Sequence, residues 1–172
     1  RGIHLPAGWF HDYVGTPEAG IWSQLKRRYQ IAGDVPSLML ERSDVFVQAA
    51  ANLRPAWFLP DVLSLTCPHR IVSAGQLAHI EALVGAWGLS GAFTSISAGQ
   101  PAGDGRQTPK RDRLAQAMQR GAVLFEDMPS YLTLNLGYVT VGVEHSYNDL
   151  RGVRCDLRVN HAEPGAWLSA PQ

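Results

Sequence analysis

Between residues 122 and 160 apolar and polar side chains alternate with a period of two. From Val153 to Asn160 the alternation is strict. Val153, Cys155, Leu157 and Val159 share one face, and Arg154, Asp156, Arg158 and Asn160 share the other. That period predicts a half-buried antiparallel strand with a wet Arg154/Asp156/Arg158 face. Upstream, the parity changes: Leu132, Leu134 and Leu136 are even-numbered, whereas Val139, Val141 and Val143 are odd-numbered. One regular strand cannot place both sets on one face, so Gly137 marks either a bulge or a tight turn, and a bulge or sharp bend in one long strand is the favoured expectation. His145–Gly152 then reads as the loop of a closing hairpin, which puts His145 near Gly152 and His161 at the opposite end, near Tyr138.

The rest of the chain alternates between helical and extended signals. Thr16, Pro17 and Glu18 open a helix striped by Ile21, Trp22, Leu25 and Tyr29, with Gly33 as its stop. Val35–Leu40 reads as a strand, and Ser43 as the cap of a short helix running to Asn52. Val62–Cys67 reads as a second strand. Ser73 and Gln76 form a capping-box pattern before the stripe Leu77, Ile80, Leu83, Val84 and Trp87. Phe93–Ser97 is a third strand. Thr108-Pro109 opens a helix with Leu114, Ala117 and Met118 inward, and Ala122–Glu126 is a further strand before the turn at Asp127–Ser130. The expected class is α/β, with α+β as the alternative: a mixed β-sheet packed by about four helices, with antiparallel strands at the C-terminal end.

Length and composition frame this reading. The 172 residues suit one globular domain, with residues 1–15 as an irregular aromatic arm and residues 98–109 as a flexible loop. A globule of this size buries roughly 70% of its unfolded surface, so it needs no staples. A net charge of zero argues against a dedicated nucleic-acid or anionic-membrane binder. No apolar run approaches the roughly 20 residues of a membrane helix. The scarcity of Lys beside Arg fits a GC-rich bacterial gene. Without an initial Met, the chain is expected to be a fragment of a larger or membrane-anchored protein; its compartment, cytoplasmic or extracytoplasmic, is left open. Cys67 and Cys155 are read as two buried thiols; a disulfide between them would add roughly 4 kcal/mol in an oxidising compartment.

Three places hold chemistry-bearing residues. The stretch 99–113 leads from a strand through a glycine-rich loop into a helix N-terminus, where free N–H groups bind anions. Arg106, Lys110, Arg111 and Arg113 crowd that end and are the candidate anion-binding residues. Neither GxxxxGK[ST] nor GxGxxG is present, and a solvated loop is the plainer reading. Glu144 and His145 end a strand and are the candidate catalytic residues, since His titrates near neutrality. The hairpin geometry argues against one metal site built from both histidines, and no metal or cofactor is expected. Cys67-Pro68-His69 is a weaker nucleophile–base pattern, and His79 is read as a solvated residue. Trp9, Phe10 and Tyr13 in the arm, with Trp57 and Phe58, form a candidate partner-binding surface, because large aromatics are enriched at interfaces.

No GxSxG, HExxH or paired-carboxylate motif occurs. The first expectation is therefore a non-catalytic binding or adaptor domain whose partner is another protein. The alternative is a small α/β enzyme acting on a phosphorylated or carboxylated ligand at the 99–113 loop and helix start. A secreted toxin or immunity protein is a third.

Overall fold

The computed structural model describes residues 4–6, 9–13, 16–99, 109–118, 121–134, 136–145, 148–161 and 167–169; the side chains of Phe10, His11 and residues 167–169 lie outside that description. Among the described residues the fold is mixed α/β, with six α-helices and two small sheets built on parallel pairing.

Helix α1 (Glu18–Tyr29) begins after Pro17, and no side chain caps it; Thr16 does not play the expected part. It ends where Gln30 turns left-handed, at φ 51°, ahead of the expected stop at Gly33. Helix α2 (Val35–Ala49) replaces the strand expected at Val35–Leu40. Asp34 accepts the Ser37 backbone N–H at 2.9 Å, and Pro36 sits in the first turn. Those two local signals outweigh the β propensity of Val35. Ser43 is consequently inside a helix. Helix α3 (Leu59–Leu63) takes the first two residues of the stretch read as a strand at Val62–Cys67, and a turn takes the rest.

Strand β1 (Arg70–Gln76), helix α4 (Leu77–Ala86) and strand β2 (Ser95–Gly99) form a parallel βαβ unit. Ser73 and Gln76 belong to β1, so the capping box does not form: Gln76 is the N-cap without a side-chain bond. Strand β2 begins two residues later than expected. Helix α5 (Lys110–Ala117) buries Leu114, as its stripe predicts.

The second sheet is β3 (Val123–Glu126), β4 (Val139–Glu144), β5 (Leu157–Asn160) and β6 (Trp167–Ser169), in that order. The strands β3, β4 and β5 run parallel, and β6 lies antiparallel to β5. This overturns the expected C-terminal hairpin of Val139–Glu144 and Val153–Asn160. Residues 127–138 and 145–156 are crossovers of twelve residues each, the length that returns a chain to a parallel neighbour. The first carries α6 (Pro129–Leu132), and Gly137 turns within it at φ 74°. The parity break is therefore the boundary between a helical turn and a strand, with no bulge in one long strand.

Strand β5 lies between β4 and β6, so both its hydrogen-bonding edges are paired. Val159 is fully buried, but Arg158 is also buried, at 7% exposure, while Leu157 is 43% exposed. Of the expected wet face, Arg154 and Asp156 are exposed, whereas Arg158 is turned inward and corrects the expectation at that position. One face of the sheet packs Phe125, Val141, Val143 and Val159 against Trp57, Phe58 and Val62. On the other, Leu132, Leu150 and Cys155 fill the space over Gly142. Cys155 is buried as expected; Cys67 is exposed, and the two are unpaired. No helix among the described residues is long and apolar enough to cross a membrane.

Candidate functional site

Parallel strands all finish at one edge, and their carboxyl ends with the following loops form a natural ligand crevice. Here Asp127, His145 and His161 each follow the last residue of β3, β4 and β5 respectively. Glu144 is in register with Asn160, so the next residues, His145 and His161, become neighbours. Their ring centres are 4.3 Å apart and their planes are tilted by 38°. The expectation that the two histidines lie at opposite ends of a hairpin is corrected by this parallel register.

The backbone around the pair is tied down. The His161 N–H donates to the Glu144 carbonyl at 2.8 Å. Asn148 accepts the His145 N–H at 2.7 Å, and its amide donates to the carbonyls of Asp127 (2.6 Å) and Val143 (2.9 Å). The Trp57 indole donates to the Asn160 carbonyl at 2.9 Å. Burial pushes the His145 pKa down; the neighbouring His161 adds to this, and Asp127 opposes it.

Glu144 belongs to the next pleat row. Its carboxylate lies 3.5 Å from the buried Arg158 guanidinium, which also donates to the Val153 carbonyl. Lys110 at the start of α5 reaches the end of β3. Its ammonium contacts the Glu126 carboxylate at 2.5 Å and stands 4.4 Å from the Tyr131 ring centre. Burial of Glu126 outweighs that ammonium and raises its pKa above the ordinary carboxylate value. Arg113 is committed to the first sheet, where it donates to the carbonyls of Ala98 and Ser73. Arg111 is exposed on α5, and Arg106 lies outside the described residues. The described candidates are therefore not gathered into one cradle: Lys110 and Arg113 are turned inward, and Arg111 is exposed at the helix start.

The aromatic candidates are dispersed. Tyr13 is buried with Trp9 beside it, their ring centres 5.7 Å apart, along a small cleft of about 60 Å³ shared with α1. Phe58 is a core residue stacked on Phe125, and Trp57 meets it edge-on. The Phe10 side chain lies outside the described part. His69, two residues after the exposed Cys67, has its Nε2 3.2 Å from the Leu65 carbonyl.

His79, expected in solvent, is buried at 6% exposure between α2 and α4. Arg42 donates to its Nδ1 at 3.3 Å, and Ser43 Oγ lies 2.8 Å from its Nε2. A guanidinium only donates, so Nδ1 accepts and the neutral ring carries its proton on Nε2. Ser43 then accepts from His79. That is the wrong tautomer for a serine nucleophile and its base, and the cluster is structural.

Sequence reading missed His161, Asp127 and Asn148 as neighbours of His145. The signal that points to them is the twelve-residue spacing between strands, too long for a tight hairpin and suited to a parallel crossover. Among the described residues no group of three or more His, Cys, Asp or Glu side chains is placed to hold a metal ion. In comparison with known proteins, the chain matches no family model, no curated protein and no solved structure.

Proposed function

We propose that this chain is a small α/β enzyme acting on a phosphorylated or carboxylated ligand at the carboxyl edge of its parallel strands. One observation carries the reading: the register of β3, β4 and β5 gathers Asp127, Glu144, His145 and His161 at a single edge, to which α5 adds Lys110. Arg111, exposed in the first turn of α5, attracts the anionic group beside the N-terminal amides of that helix, while Lys110 holds the helix start against Glu126. His145, kept neutral at neutral pH by burial, accepts a proton; Glu144, steadied by Arg158, is the second acid–base group.

The test is a thermal-shift screen of phosphorylated and carboxylated small molecules at pH 7.5. A ligand of one class raises the melting temperature of the chain. Arg111→Ala removes the shift, and His145→Ala keeps binding but abolishes turnover of that ligand. If no ligand of either class shifts the transition, or if Arg111→Ala responds like the parent chain, the reading is wrong.

A second reading, the adaptor domain that binds another protein, is favoured by α2. Leu40 and Val47, one heptad apart on that helix, are 66% and 42% exposed. Under that reading Leu40→Glu abolishes capture of a partner while every small-molecule response is unchanged.

A further inference from the structure

We propose that His145 and His161 together chelate a divalent late first-row transition-metal ion, with Cu²⁺ or Ni²⁺ as the best-fitting occupants. The basis is geometric. Metal–nitrogen bonds of about 2.0–2.1 Å from two imidazoles at a right angle put the ring centres about 4.5 Å apart. The observed separation is 4.3 Å, with the planes tilted and not stacked flat. A right-angle pair suits the tetragonal preference of Cu²⁺ and Ni²⁺, and imidazole is a favoured donor for both. The remaining positions are left to water or to a ligand.

The site is built before the ion arrives. Cross-strand register makes the two residues neighbours, and the His161 N–H bond to Glu144 locks that register at its last rung. Asn148 clamps the His145 backbone to the end of β3, and Trp57 clamps the end of β5. Neither histidine backbone has to reorganise, which is the condition for a tight two-residue chelate. Asp127, whose charge acts on His145, favours a cation at this edge.

This inference goes beyond the enzyme reading and needs no substrate. Ligation by His145 and proton transfer by His145 are alternative states of one ring, so metal loading would silence the proposed activity. The test uses the full chain without any affinity tag, titrated with Cu²⁺ and with Ni²⁺ at pH 7.5. Calorimetry is expected to show saturable one-to-one binding. His161→Asn and His145→Asn are each expected to weaken it at least about tenfold, while His69→Asn leaves it unchanged. In the parent chain, substoichiometric Cu²⁺ should broaden the NMR ring signals of His145 and His161 first, a readout that does not depend on any variant folding. Absence of saturable binding, undiminished affinity in His161→Asn, or broadening centred on another histidine overturns the proposal. Failure of the anion screen with metal binding intact would sink only the enzyme reading.

Discussion

At the scale of single residues, His79 shows how a polar side chain becomes a core element. Its two ring nitrogens are satisfied by Arg42 and Ser43, Phe46 lies 4.6 Å from its ring centre, and Glu18 approaches Arg42 at 3.6 Å from the α1 side. Its pKa is lowered from about 6.5, first by burial and then by the Arg42 charge, with Glu18 opposing. The unfolded chain therefore binds the proton before the folded chain does. The stability contributed by neutral His79 is complete above pH 6.5 and is lost as the pH falls through the folded-state value. Urea midpoints should drop between pH 7.5 and pH 5.5, and His79→Gln should flatten that slope; an unchanged slope would show that His79 is not its source. Two glycines predict opposite signs. A Cβ on Gly99 would stand 2.4 Å from the Ala74 carbonyl oxygen, so Gly99→Ala should cost about 2 kcal/mol or more in chemical denaturation. Gly85, inside α4, has open space, so Gly85→Ala should stabilise by about 0.5–1 kcal/mol.

At the scale of elements, α5 is held by two cations turned inward. Arg113 ties it to β1 and β2, and Lys110 ties it to β3. From the sequence, Arg106, Lys110, Arg111 and Arg113 look alike, four cations around one helix start. Burial divides the three that are described, because only neighbouring strands decide which guanidinium meets carbonyls and which ammonium meets a carboxylate. Removing one partner of a buried pair leaves the other uncompensated, so Lys110→Met should cost about 3 kcal/mol, measured by urea unfolding. The double variant Lys110→Met with Glu126→Leu should recover most of that loss; an equal or larger loss would mean that the pair itself is strongly net stabilising. The helices α4 and α5 were legible because their apolar residues recur at helical spacing. Helix α2 was not, since its capping Asp34 lies outside a segment whose own residues favour a strand. The strands β4 and β5 were legible as strands, but their relative direction was not. Period two belongs equally to parallel and antiparallel pairing.

At the scale of the whole molecule, the two sheets differ in how well they are supported. Strand β4 has strands on both sides and packed side chains on both faces, whereas among the described residues β1 and β2 pair only with each other. Native-state hydrogen exchange should find the slowest amides at Val141, Val143 and Val159, with faster exchange across Ile71, Val72 and Ile96. Equal protection in both sheets would mean that they open as one unit. By itself, the sequence determined the class: alternating apolar periods call for helices and half-covered strands, and the existence of α1, α4, α5, β3 and β4 follows from local residues. Only the tertiary structure decided that the last strands run parallel. It thereby placed His145 against His161, turned Arg158 inward and left Leu157 partly exposed. The physical reason is that side-chain period is a property of one strand, while direction and register are set by long-range backbone pairing across a crossover. Chemistry at the strand ends is inherited from that pairing.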